Sequence, residues 1–242
     1  MEWLLNLLMN LNWSAVGQII MIDILLGGDN AVVIALACRN LPPEQRMKGV
    51  FWGTFGAIAL RVVLITFAVL LLDLPLLKAV GGALLIWIGV KLLIPETDVD
   101  ISGKVKAASK LFDAIKTIII ADFVMSLDNV IAIAGAAEQA HDDHQVLLVI
   151  FGLLVSVPFI VGGSQVILKL IDRFPIIVWF GGGLLGWIAG GLFASDAWMV
   201  KQFPQLSEMV LPLEIAGAAV VVAIGFLILV LSKRKKQQEN QN

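Results

Sequence analysis

Polar residues along this chain are gathered into short gaps between long apolar runs. Seven runs approach or exceed the roughly 20 mostly apolar residues that a helix needs to cross a bilayer. They are Ala15–Cys38, Gly49–Leu72, Leu76–Leu93, Phe112–Ala137, Val146–Ile171, Ile176–Ala194 and Val210–Leu231. The gaps hold the punctuation, such as Leu41-Pro42-Pro43-Glu44, Leu74-Pro75 and Phe174-Pro175. The longest gap, Ile94 to Leu111, carries Lys104, Lys106 and Lys110 and reads as a linker between two halves. The expected fold is all-α and polytopic, with seven transmembrane helices.

Two runs interrupt their apolar pattern in the same way. The first contains Asp23-Ile-Leu-Leu-Gly-Gly-Asp29-Asn30 and the fourth contains Asp122-Phe-Val-Met-Ser126-Leu-Asp128-Asn129. A second likeness links Gly81-Gly82-Ala-Leu-Leu-Ile-Trp87 in the third run to Gly181-Gly182-Gly-Leu-Leu-Gly-Trp187 in the sixth. Spans one to three therefore map onto spans four to six. An odd number of spans per copy turns the second copy upside down, the inverted-repeat plan of many secondary transporters. The expected units are residues 1–94 as the N-terminal repeat and 95–111 as a cytoplasmic linker. Residues 112–194 form the inverted repeat, and 195–242 the seventh span with a basic tail.

Composition agrees with the membrane reading: 59% of residues are hydrophobic and 15% charged, against about 25% charged in soluble domains. One cysteine, Cys38, allows neither an intrachain disulfide nor a thiolate metal cluster. Two histidines and no tyrosine leave little soluble-enzyme chemistry, and no nucleotide loop or catalytic-triad spacing occurs. The start lacks a basic segment and a cleavage site, so no cleaved signal peptide is expected.

The Lys/Arg bias gives a direction. If Lys233-Arg234-Lys235-Lys236 is cytoplasmic, only Arg61, Lys78 and Lys201 of the 17 basic residues fall elsewhere. The N-terminus is then outside and the C-terminus inside a plasma or bacterial inner membrane.

A carboxylate at the bilayer centre costs about 2.5–3.5 kcal/mol on insertion scales, so four in two matched copies point to a cation site between the repeats. Asp23, Asp29, Asp122 and Asp128, with Asn30, Asn129 and Ser126, form an all-oxygen set, which suits Mg²⁺, Ca²⁺ or Mn²⁺. Counting from the ends of their runs puts Asp23 near the depth of Asp128, and Asp29 near that of Asp122. Asp29 and Asp128 are expected to approach each other. Two Asp six residues apart on a regular helix are separated by about 9 Å and about 120°, so they do not share one small ion. Either the first helix opens at Gly27-Gly28 or the carboxylates form two layers; Ser126-Leu127 keeps the second copy more regular. Arg61 is read as a counter-ion for Asp29 or Asp122. Four carboxylates and Arg61 sum to −3, so a divalent ion leaves −1, and the empty site is expected to hold a proton that metal binding releases.

At these residues the sequence resembles the TerC family of integral membrane proteins, within a larger group of lysine-exporter-like transporters. The resemblance covers nearly the whole chain and rests on Gly28-Asp29-Asn30-Ala31 and Ser126-Leu127-Asp128-Asn129. It implies export of a metal ion, with Mn²⁺ as the expected cargo, and an association with tellurium resistance. The partners it implies are the bilayer, a divalent cation and protons; no cofactor, nucleic acid or enzyme activity is expected.

Plainer readings stand beside these. Asn30 and Asn129 serve equally well as interhelical hydrogen-bonding groups, and the glycine runs as close-packing surfaces. His141, Asp142, Asp143 and His144 read first as a solvated loop and second as an outer metal-capture site. The basic tail reads as an anchor on anionic lipid, and Trp87 and Trp187 as packing. Rival functions are transport of a cationic amino acid or a tellurium-related ion, an intramembrane aspartyl protease, and a non-transporting scaffold or stress sensor. The protease reading is weakened by Leu26, which stands where a Gly-x-Gly-Asp pattern needs its first glycine.

Overall fold

Proline, glycine and the apolar runs divide the chain into helices close to the expected ones, as a computed structural model shows. The structure describes residues 13–67, 74–94, 103–139 and 145–239. Side chains are described there except at 14–15, 25–26, 66, 103–107, 128, 130–139, 145–148 and 233–239. The helices are α1 (Trp13–Leu26), α2 (Gly28–Cys38), α3 (Pro43–Thr66), α4 (Leu77–Leu93), α5 (Gly103–Gln139), α6 (Gln145–Arg173), α7 (Ile176–Ser195), α8 (Ala197–Gln202) and α9 (Val210–Glu239). A 3₁₀ turn at Pro204–Glu208 precedes α9, and no strand occurs among the described residues.

Among the described residues four helical segments are long and apolar enough to cross a membrane: Pro43–Ile65, Val149–Arg173, Ile176–Ser195 and Val210–Ser232. The pair α1–α2, bent by 50° at its break, makes a fifth when taken as one span. At 17 residues, α4 is shorter than these.

Two helix starts lie well ahead of the apolar pattern. α3 begins at Pro43, ahead of the apolar run, because Pro in the first turn supplies a helical φ and Glu44 suits the positive helix end. α5 begins at Gly103, so the expected linker is helical over its last third or more. Lys104 to Leu111 contains Lys, Ala and Leu and no breaker, which is enough to extend a helix already anchored by its apolar part.

Packing follows a crosswise plan. α3 lies along α5, α1 and α2 lie along α6, and α4, α7 and α9 form a third pack. Contacts between α4 and α7 are reciprocal. The space a Cβ would need at Gly82 is taken by Phe193, and that at Gly182 by Leu93. Likewise Gly81 faces Val124 of α5, while Gly181 faces Leu36 of α2. Between α7 and α9 the backbones meet directly: Gly186 lies against Gly217, and Gly190 against Leu213. Such small-residue seams hold helices together where lipid removes the hydrophobic driving force.

Buried Asp196 joins two helix starts. It accepts the N–H groups of Trp198 and Met199, each at 3.0 Å, as the cap of α8. It also accepts the Ala79 N–H at 3.2 Å, in the first turn of α4. Gly53 and Gly56 lie against Ile118 and Ile119, which brings α3 close to α5 and carries Arg61, two turns further on, into its reach.

Candidate functional site

The first acidic string is split by its glycines. Gly27 leaves the helix with φ −102° and ψ 1°, and α2 starts again at Gly28. A Cβ at Gly27 would overlap the Asp23 carbonyl oxygen, so only glycine fits this close approach. The break puts Asp29 in the first turn of a new helix, where a carboxylate complements the exposed N–H groups. Its Oδ1 accepts the Asn30 N–H at 2.8 Å. Asn30 is 3% exposed, and among the described residues neither its amide nitrogen nor its carbonyl oxygen has a hydrogen-bond partner. Unsatisfied buried polar atoms are uncommon enough that a ligand is a natural explanation.

The second string has no break. α5 runs from Gly103 to Gln139 straight through it. Asp122 and Ser126, four residues apart, therefore share a face, and the Ser126 hydroxyl donates to Asp122 Oδ2 at 3.1 Å.

The two strings meet at Arg61. Its guanidinium donates to Asp23 Oδ1 of α1, to Asp122 Oδ1 of α5 at 2.6 Å, and through Nε to Ser126 Oγ at 3.0 Å. The second oxygen of Asp23 accepts the Ser156 hydroxyl of α6. Asp23, Arg61 and Asp122 are 1%, 2% and 6% exposed. Each carboxylate oxygen is thus engaged, once by Arg61 and once by a serine. That completeness matters, because buried ions are tolerated only when their remaining lone pairs and protons are met.

This arrangement corrects the depth matching. Arg61 pairs with Asp23 and Asp122, not with Asp29. Equivalent positions of the two strings meet, and Asp29, on the separate helix that follows the 50° bend, makes no ion pair with Arg61 among the described residues. The side chain of Asp128 lies outside the described residues, as do His141 to His144, so the expected approach of Asp29 to Asp128 is not tested. Asn129 is half-buried and has an interaction of its own. Among the described residues no three His, Cys, Asp or Glu side chains converge to hold a metal ion. Asp23, Asp29 and Asp122 therefore do not form one three-carboxylate cage. Ser156 is not among the sequence candidates; its signal is a hydroxyl in mid-run, two residues before Pro158. Thr54, 2% exposed with an unpartnered hydroxyl, is a further buried polar group on α3.

A family model described as "Integral membrane protein TerC family" matches residues 8–238. The chain is 44% identical over 178 residues to the uncharacterized membrane protein YjbE of Bacillus subtilis, covering 74% of this chain and 78% of that one. It is 26% identical to the uncharacterized membrane protein YceF of the same organism, over 68% of this chain and 64% of YceF. Identity to the UPF0053 inner membrane protein YgdQ of Escherichia coli K12 is 24%, over 68% of this chain and 73% of YgdQ. No solved structure matches.

Proposed function

Since the chain belongs to the TerC family of integral membrane proteins, we propose that it is a transporter exporting a divalent cation, Mn²⁺ foremost, from the cytoplasm across the inner membrane. The observation that carries this reading is the convergence of Asp23 and Asp122, equivalent members of two repeated strings, on one buried guanidinium. Ionisable groups buried in a membrane protein are a functional-site hypothesis by default, because their desolvation is costly and they are rare there without a role.

In this reading the chain has seven spans, built from two inverted three-helix repeats plus α9. The reciprocal Gly82–Phe193 and Gly182–Leu93 contacts support it, since a two-fold relation makes each partner's contact the mirror of the other's. The crosswise packing of α3 on α5 and of α1–α2 on α6 supports it as well. The basic gaps support an outside N-terminus and an inside C-terminus.

The cation ligands form two layers of one path: the carboxylates of Asp29 and Asp128 with the amide oxygens of Asn30 and Asn129, and next to them Asp23 and Asp122 with Ser126, the layer that Arg61 occupies when no cation is there. The cluster sums to −1, Asp29 and Asp128 add −2, and a divalent cation leaves −1. Proton release on loading is the natural coupling. Asn30, buried with a free carbonyl oxygen, is the ligand with most support. An aspartyl-protease dyad needs two carboxylates facing each other over a shared proton; a guanidinium between Asp23 and Asp122 favours transport over that chemistry.

The test is efflux from proteoliposomes holding the purified chain, over a panel of Mn²⁺, Mg²⁺, Ca²⁺, Zn²⁺ and lysine, with and without a pH gradient. Mn²⁺ efflux above empty liposomes is expected. Lysine movement without metal movement would favour the amino-acid rival, and no movement of any solute the scaffold rival.

A further inference from the structure

Arg61 occupies the place that a transported cation would take. Each oxygen of Asp23 and of Asp122 already accepts a hydrogen bond, one from Arg61 and one from Ser156 or Ser126. All three charged side chains are buried. An incoming cation finds every carboxylate oxygen already hydrogen-bonded and a positive guanidinium standing between the two acids, so it can bridge them only if the guanidinium withdraws. Conversely, two carboxylates left facing each other without a cation repel, and apolar surroundings magnify that repulsion. At every moment the pair needs a positive charge, and the chain carries one of its own.

We propose that Arg61 is a tethered substitute for the transported cation. Metal displaces it from Asp23 and Asp122 on the loaded passage, and it returns to neutralise them on the empty passage. This rests on the transport reading above. Three features support it. A guanidinium stays charged at all relevant pH, so the substitute cannot be emptied by losing a proton. Ile118 and Ile119 of α5 seat in the space left by Gly53 and Gly56, so the α3–α5 pair is held close and the long, unbranched Arg61 side chain is the part that can swing clear of the carboxylates. The register that pairs Asp23 with Asp122 pairs Arg61 with buried, apolar Ile160, so the duplicated site holds one such cation and not two.

The consequence is a separation of two activities. Exchange of metal for metal uses loaded passages in both directions and never needs the substitute. Net transport needs an empty passage, and therefore needs Arg61.

The experiment uses the full chain in liposomes with Mn²⁺ as probe, measuring net efflux and isotopic Mn²⁺/Mn²⁺ exchange in wild type, Arg61→Gln and Arg61→Lys. Arg61→Gln is expected to lose net efflux by about a hundredfold, the factor for exposing an uncompensated charge at mid-membrane, with exchange falling far less, so that the ratio of exchange to net efflux rises. Arg61→Lys keeps the charge but not the planar fork, so net efflux is partly restored. Net efflux and exchange falling together in both variants would overturn the proposal, and so would net efflux unchanged in Arg61→Gln. If Arg61→Gln does not assemble, Arg61→Lys decides: a raised ratio of exchange to net efflux supports the proposal, and an unchanged ratio overturns it. A wild type that moves no Mn²⁺ at all brings down the transport reading itself, a result distinct from these.

Discussion

The two acidic strings have the same Asp spacing but stand on different backbones. In the first, Gly27-Gly28 divides the string between α1 and α2, so Asp23 and Asp29 belong to separate helices at 50° to one another. In the second, Ser126-Leu127 keeps α5 whole, and Asp122 gains a hydroxyl partner one turn on. The first copy finds its hydroxyl elsewhere, on Ser156 of α6. The two strings thus share their carboxylate spacing, while two residues between the carboxylates decide the geometry. One copy offers a helix start and unpartnered amide atoms; the other offers a rigid wall.

The sharpest way to break this comparison is to remove a carboxylate from the cluster the copies share. Asp23→Asn and Asp122→Asn should each lower stability by about 3 kcal/mol, the upper end for losing a charged hydrogen-bond partner, since Arg61 keeps the other carboxylate. Thermal unfolding of purified protein in detergent measures it, and the two losses should be similar if the site is balanced. Next comes the break itself. Gly27→Ala should cost about 1–3 kcal/mol, through overlap with the Asp23 carbonyl. Gly28→Ala, where a Cβ meets nothing within 4 Å, should be neutral or stabilising by about 0.5–1 kcal/mol. Equal melting shifts at the two neighbours would show that the break is not held by close approach.

Smaller effects sharpen the contrast between the hydroxyls. Ser156→Ala and Ser126→Ala should each cost about 1.5–3 kcal/mol, the range for hydrogen bonds to charged groups. Ser126→Ala should lie at the upper end, since Ser126 also accepts from Arg61. The smallest stability change is expected at Asp29, whose charge at a helix start is worth about 0.3–1 kcal/mol. Asp29→Asn should nevertheless stop Mn²⁺ efflux while the protein stays folded. Retained flux in that variant would remove Asp29 from the ion path.

Much of this was legible in the residues. Periodic runs gave the helices, and the glycine pair marked the opening in the first copy and, by its absence, the continuity of the second. Arg61 was recognisable as a counter-ion because a lone cation in an apolar run needs an acid. Of its partners Asp122 was foreseen and Asp23 was not, since depth counted along straight helices fails once a helix bends at Gly27. Ser156 escaped because a serine in a membrane run commonly bonds its own helix, as Ser164 does to the Ile160 carbonyl and Ser156 itself to that of Leu153, with nothing in the sequence to mark Asp23 as a second partner. Helix α5 reached into the linker because apolar content marks where a helix is buried, not where it starts.

The glycine seam between α7 and α9 also bears on biogenesis. Synthesis proceeds from the N-terminus, so α9 leaves the ribosome only after α4 and α7 have had time to join. Its seat on Gly186 and Gly190 is made of bare backbone, and exists only once α7 stands in the bilayer as a finished helix. Docking of α9 is therefore a late event in assembly. Crosslinking between positions 186 and 217 in stalled nascent chains would time it.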